Sequence, residues 1–331
     1  MQPKKLTIAI PTYNRPGPLA ETLRQLNAQE GFEECEVIVS DNASEQIMEQ
    51  VMGNDFPELT GAVRFHRNLA NLGVTGNILR CIELSTSEWI WILADDDDLD
   101  PHAVRHLLKS CEDAIDLDFV VFSQAENQKG GVRVSSTTEL LQEIDYWHRM
   151  GFLPVGMYRV SSIREVLNVG ATYAYTLFPH VSMLFHGLEA KGWKGALDSF
   201  VPVIAAHKGA DFWPLMLAIN GYVTAELVDS EKNARAILRL ASKWCLGPIG
   251  LTHEFLRLKQ IKGKGLPRLS YKHKMFLIRQ VSFRYRLAAY ACHFASYLPP
   301  SLTLSSIGMI RKLTGRATEL RPNRQDVYGR I

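Results

Sequence analysis

Residues 89–98 read Trp89-Ile90-Trp91-Ile92-Leu93-Ala94-Asp95-Asp96-Asp97-Asp98. The run of branched and aromatic side chains has the composition of a short strand. The four carboxylates that follow repel one another unless a cation or solvent compensates their charge. At a strand end facing a crevice a divalent metal is the natural compensation, and hard oxygen ligands suit Mg²⁺ or Mn²⁺, which keep positions open for a diphosphate. The competing reading is a solvated acidic turn. A calcium loop starting at Asp95 is excluded, because Asp100 stands where glycine is needed and His106 where the closing glutamate belongs.

Working outward, Leu6 to Ile10, Glu36 to Ser40, Val63 to His66 and Leu117 to Ser123 have the same strand composition. Pro18 to Asn27, Ser44 to Met52, Val74 to Leu84 and Pro101 to Cys111 show apolar spacing near the helical period, with Pro18 and Pro101 suited to first turns. Strands alternating with helices predict an α/β fold with a mostly parallel, doubly wound sheet. Such sheets bind ligands beyond the carboxyl ends of their strands, which places Pro11 to Arg15, Asp41 to Ala43 and Ala94 to Asp100 around one crevice. Residues 124–138 read as a surface excursion. Helices are expected from near Ser161 and over 180–191 and 213–245, with a short strand at Phe200 to Ala205.

A chain of 331 residues, 46% apolar, has ample core for this architecture. Its five cysteines are scattered without a CxxC pair, which fits a reducing compartment. Met1 to Lys5 runs straight into the first strand, with no signal-like apolar stretch, so a cytoplasmic protein is expected. Net charge is only +2, yet 25 of the 35 acidic residues precede residue 151, and thirteen Lys and Arg lie between Glu254 and Glu319 without an acidic residue.

Four segments carry a family resemblance: Thr7-Ile8-Ala9-Ile10-Pro11-Thr12-Tyr13-Asn14-Arg15, Val37-Ile38-Val39-Ser40-Asp41-Asn42-Ala43-Ser44, Asn71-Leu72-Gly73 with Asn77, and Trp91 to Asp98. In their order and spacing the first 110 residues resemble the family 2 glycosyltransferases, whose Rossmann-like catalytic domain is called GT-A. The resemblance implies a nucleotide-diphosphate sugar donor, Mn²⁺ or Mg²⁺ as cofactor, and inversion at the sugar carbon. It implies that Pro11, Thr12, Asn14, Arg15 and Asn77 line the donor pocket, that Asp41 bonds the base and that Asp95 lies near the ribose. Counting back from Pro101, Asp96 falls on the family's metal-binding aspartate, with Asp97 beside it in the metal set and facing donor sugar or acceptor. Ala94 stands where the commonest form has its first aspartate, so the register within the four carboxylates is open by one residue.

The family's general base, an acidic residue roughly eighty to a hundred residues after this motif, has no carboxylate counterpart in Tyr175 to Ser182. His180 occupies the place and titrates near neutrality, so it is the candidate base; a histidine packing the helix after Pro179 is the competing reading. Asp198 and Asp211 are the carboxylate alternatives, Asp211 in a Gly-containing loop that could close over the diphosphate. His102 and His106 are one helical turn apart, but Ala103 stands where a HExxH motif needs glutamate, and they read as a solvated face.

Between Arg257 and Arg286 ten cations interleave with Leu, Ile, Phe, Met and Tyr, and the apolar run Leu287 to Pro300 is too short to span a bilayer. This pattern is expected of helices on an anionic membrane surface. Nucleic acid is disfavoured by the N-terminal half. The expected organisation is a GT-A catalytic domain over 1–215 and a helical, basic extension over 216–331, peripheral on the inner face of the cytoplasmic membrane. The reaction expected is sugar transfer to a glycan or lipid-linked oligosaccharide in bacterial O-antigen or capsule synthesis. A sugar nucleotidyltransferase and a decayed glycan- or membrane-binding module are the rival readings.

Overall fold

A computed structural model describes residues 4–122, 131–144, 147–206 and 213–242. The chain runs β1 (Leu6–Thr12), α1 (Pro16–Asn27), β2 (Cys35–Asp41), α2 (Met48–Asp55), β3 (Val63–Arg67), α3 (Gly73–Leu84), β4 (Trp89–Ile92), β5 (Asp97–Leu99) and α4 (Ala103–Asp113). It continues with β6 (Phe119–Phe122), β7 (Val132–Val134), α5 (Thr137–Glu143), α6 (Trp147–Met150), β8 (Gly156–Arg159), α7 (Val160–Glu165) and α8 (Leu167–Thr172). The last described elements are α9 (Pro179–Ala190), β9 (Gly195–Asp198), β10 (Val203–Ala206), α10 (Trp213–Glu226) and α11 (Glu231–Ser242).

Eight strands form one sheet in the order β3-β2-β1-β4-β8-β6-β9-β7, with β8 and β7 antiparallel to their neighbours and the rest parallel. Because side chains alternate across a strand, each strand feeds two cores. Leu6, Ile8 and Ile10 of β1, with Trp89 and Trp91 of β4, pack beneath α1, α2 and α4. Ala9, Ile90 and Ile92 face the opposite core, shared with α3, α9 and α10. This is the three-layer α/β architecture of the GT-A fold, which the sequence predicts.

Four features differ from expectation. Asp97 begins a strand rather than a turn: β5 pairs antiparallel with β10 in a separate ribbon, Asp97 opposite Ala206. The surface excursion ends early, since β7 and the start of α5 fall within it; Ser136 caps that helix by accepting from the Glu139 amide. The single helical region over 213–245 divides at 227–230 into α10 and α11. The boundary at 215/216 falls inside α10, whose Met216, Leu217 and Ile219 are buried in the core that also holds Ala9 and Ile92. No helix among the described residues is long and apolar enough to cross a membrane, and the basic stretch 257–300 lies outside them.

Candidate active site at the carboxyl edge

All the parallel strands end on one edge of the sheet, where the loops after β1, β2 and β4 meet. The first two are laced together. The Asn42 amide donates to the Thr12 carbonyl (3.0 Å), the Asn14 amide to Ser44 Oγ (2.9 Å), and the Glu45 amide to Asn14 Oδ1 (2.8 Å). Asn14 and Ala43 both adopt left-handed backbone, at φ 55° and 57°. Asparagine tolerates this conformation, but alanine is strained there by roughly 1–2 kcal/mol and persists because the surrounding bonds fix it. Such strain concentrates where a backbone must take one shape to meet a ligand.

Arg15, the residue just before α1, spreads its guanidinium over the acidic cluster, with Nη1 2.7 Å from Asp95 Oδ1 and Nη2 2.6 Å from Asp96 Oδ2. Thr12 Oγ1 donates to the other Asp95 oxygen at 2.7 Å. Burial pushes the Asp95 carboxyl up to about 6, against the pull of Thr12 and Arg15. Asp97 is pushed further, to about 7, by burial first and then by the charge of Asp96. No described Lys or Arg forms an ion pair with Asp97. Asp98 accepts from Gln25 Nε2 of α1 at 3.1 Å. Three of the four carboxylates thus have side-chain partners, while the buried third one, Asp97, has a backbone hydrogen bond at Ala94 and like-charged neighbours.

Asp41 is buried, with Oδ1 accepting the Ser44 amide (2.9 Å) and Oδ2 accepting Arg67 Nη1 (2.7 Å). Arg67 also donates to the Ser44 carbonyl at 2.8 Å. Sequence reasoning overlooked Arg67. The signal was available, since a cation at the end of the strand beside Asp41 is what a buried carboxylate requires.

Two expected site residues are corrected. Asn77 is buried at 2% exposure; its Oδ1 accepts from Ser40 Oγ and Asn68 Nδ2, and its Nδ2 donates to the Ser40 and Thr12 carbonyls. Every hydrogen-bonding position is occupied, so it braces β1 against β2 from behind the crevice and has no atom left for a ligand. His180 is likewise 2% exposed, in the core beneath α9, with Nε2 donating to the Met150 carbonyl at 2.9 Å. Burial lowers its pKa to about 4, and its Nδ1 has no partner. A sealed imidazole cannot reach a substrate hydroxyl. The packing reading of His180 holds.

Asp198 ends β9 on the same edge but is engaged 2.7 Å from His106 Nε2, whose ring stacks on Phe200. His106 is therefore a hydrogen-bond partner of Asp198 rather than part of a purely solvated face. Asp211 lies outside the described residues. Pro11 and Thr12 end β1 directly beside Asp95, so of the expected set Pro11, Thr12, Asn14, Arg15, Asp41, Asp95, Asp96 and Asp97 converge.

Comparisons with known proteins agree with this geometry. Residues 7–167 match the model of "Glycosyl transferase family 2". A 95-residue stretch is 35% identical to abequosyltransferase RfbV of Salmonella typhimurium, covering 28% of each chain. The crystal structure of S. aureus TarS 1-349 superposes with a TM-score of 0.52 at 14% identity, over 94% of this chain and 92% of that one. The same protein in complex with UDP-GlcNAc gives 0.53 at 13% identity, over 88% and 89%. At such identity the structural likeness bears on the fold alone, whereas the matched motifs carry the likeness in sequence: residues 7–167 of this chain resemble a glycosyl transferase family 2 domain.

Proposed function

We propose that the protein is an inverting glycosyltransferase that moves a sugar from a nucleotide-diphosphate donor to a hydroxyl of a glycan, lipid-linked in bacterial surface polysaccharide synthesis. The observation that carries this reading is the Thr12–Arg15–Asp95–Asp96 cluster at the carboxyl edge, beside the strained Asn14 and Ala43 loops. The named activity of abequosyltransferase RfbV and the UDP-GlcNAc bound by TarS support it.

Among the described residues no group of three or more His, Cys, Asp or Glu is placed to hold a metal ion, so Mg²⁺ or Mn²⁺ would rest on one or two carboxylates of the acidic cluster and the donor's own oxygens. The Asp96 carboxylate is partly accessible, and Asp97 is a carboxyl held back from ionising by burial and by the charge of Asp96. Mg²⁺ in particular needs only one or two protein carboxylates when a diphosphate completes its shell. Asp96 and Asp97 would hold the ion, which when bound neutralises charge on the departing diphosphate. Arg15 is the chain's own cation at this place, positioned to exchange Asp96 for a phosphate oxygen, a geometry in which arginine binds two oxygens at once. Thr12 and the Asn14 and Asn42 loops hold the nucleotide against the sheet edge, and Asp41, fixed by Arg67, shapes the base-binding wall.

Proton acceptance from the acceptor hydroxyl falls to Asp211. The described carboxylates of the edge are engaged with Arg15, Gln25, Arg67 or His106, and Asp97 is the one assigned above to a metal. Asp211 follows five residues after Ala206, the partner of Asp97 in the ribbon. The basic residues 257–286 bring the enzyme to an anionic membrane surface where a lipid-linked acceptor resides.

A thermal-shift screen of UDP, GDP, CDP and dTDP sugars, with Mn²⁺, Mg²⁺ or EDTA, tests this reading, since a ligand that binds only the folded state raises its stability. A shift with one nucleotide that disappears in EDTA is expected. Pyrophosphate release from a nucleoside triphosphate would instead establish the nucleotidyltransferase.

A further inference from the structure

Beyond the donor crevice, the loop before α3 carries an uncommon surface. Leu69, Leu72 and Val74 are all exposed, Leu69 completely. No charged residue occurs between 68 and 79, nor between 166 and 188. The structure joins these two uncharged segments, because Thr75 Oγ1 donates to the Ala174 carbonyl at 2.9 Å. That bond brings the segment carrying Tyr175, 38% exposed, and the half-buried Tyr173 against the loop that carries Val74. From α10 comes Tyr222, whose hydroxyl donates to the exposed carboxylate of Glu226; that carboxylate and Tyr173 are close enough to raise the Tyr175 hydroxyl pKa beyond what burial does.

The surface is continuous with the crevice. The Leu72 amide donates to Asn42 Oδ1 (2.9 Å) and Asn42 Nδ2 donates to the Gly73 carbonyl (3.2 Å), while the Asn42 amide is bonded to the Thr12 carbonyl. One asparagine thus couples the donor floor to the apolar rim.

We propose that Tyr173, Tyr175, Tyr222 and Glu226, flanked by Leu72 and Val74, form a binding subsite for an uncharged sugar ring of the acceptor, an inference that rests on the glycosyl-transfer reading. Aromatic faces are electron-rich and receive the C–H face of a pyranose, and ligand sites combine such apolar walls with a few placed polar groups. Glu226 supplies the acceptor oxygens for ring hydroxyls, two per carboxylate and strong because charged. The lack of Lys and Arg in both segments selects a neutral ring over a phosphate or a nucleotide.

Saturation-transfer difference NMR on the full chain tests this with four probes: methyl α-mannopyranoside, methyl α-galactopyranoside, methyl α-rhamnopyranoside and lactose. Transfer to the ring protons of at least one probe is expected. It should weaken about tenfold in Tyr175→Ala, persist in Tyr175→Phe and fall in Glu226→Gln, while the melting midpoint of each variant stays near wild type. Equal transfer in wild type and Tyr175→Ala, or none to any probe, overturns the proposal. So does dodecyl maltoside contacting through its alkyl protons alone, which would make the rim a hydrocarbon surface. A metal-dependent nucleotide shift without saccharide contact removes only the subsite, whereas loss of both removes the glycosyl-transfer reading as well.

Discussion

The carboxyl-edge crevice and the N-terminus of α9 are both polar places sunk into the fold, and they are built on opposite electrostatic terms. The crevice gathers four carboxylates and lets Arg15, Thr12 and Gln25 compensate three of them. The α9 region is neutral: Asn220 Nδ2 reaches Thr176, Phe178 and Ser182, and the His180 ring is held uncharged. Acid should therefore act in opposite directions on the two. The crevice keeps its charges partly accessible, while the α9 region, which ties helices together, is buried and uncharged.

The largest expected break comes from the charged side. Asp96→Ala should lower transfer by about a thousandfold or more, the scale seen when a stabiliser of transition-state charge is removed, measured as kcat with the donor that the thermal screen identifies. Full activity in metal-containing buffer would remove Asp96 from the mechanism. Asp211→Asn should cost about a hundredfold in kcat while the nucleotide thermal shift is kept, as expected of a lost general base. An unchanged kcat would return the search for the base to the described carboxylates.

Stability measurements sharpen the contrast next. The folded pKa of Asp97 lies near 7, above its ordinary value of 3.8, so its contribution is present in full below about 4 and is lost as pH rises towards 7. In EDTA, Asp97→Asn should raise stability at pH 8 by on the order of 2 kcal/mol and leave it nearly unchanged at pH 4. Equal effects at both pH values would show that the carboxyl is not held protonated. His180 has the reverse sign: with a folded pKa of about 4 against 6.5, its contribution is present above 6.5 and is lost as pH falls towards 4. His180→Leu should cost about 1 kcal/mol at pH 7.5, because the Met150 carbonyl loses its donor, and should recover that deficit at pH 4.5. Chemical denaturation at the two pH values measures it, and a pH-independent difference would contradict the buried neutral ring.

The same contrast shows what was legible beforehand. β1 and β4 were readable because each fills both cores with consecutive apolar residues, and β2 because its apolar run is buried throughout; the polar loops after them follow at strand ends where α/β sheets bind ligands. The strands β7, β8 and β9 were not, being three or four residues long and defined by pairing across long sequence distances, such as Val132 with Leu197. In β9, Gly195 is required because a Cβ there would sit 2.2 Å from the Phe119 ring, a tertiary fact that no local pattern displays. β5 escaped because aspartate has low strand propensity, and only pairing with β10 makes a strand of Asp97–Leu99. In the site, residue type and spacing located the loops, but they could not tell whether Asn77 points towards a ligand or back into the sheet. His180 was misplaced for the same reason, since position along the chain says nothing about which side of α9 is sealed.

The order β4-β8-β6 carries a consequence for synthesis in the cell. β4 and β6 flank a strand that the ribosome delivers only when residues 156–159 emerge, after both neighbours are already complete. At roughly 5–20 residues per second, the nascent chain spends several seconds with two hydrophobic strand edges lacking their shared partner. Such edges recruit other chains. A translational pause or a premature stop between residues 123 and 155 would thus yield a product whose crevice loops after β1, β2 and β4 are already encoded but whose sheet is open in the middle, a natural client for chaperones.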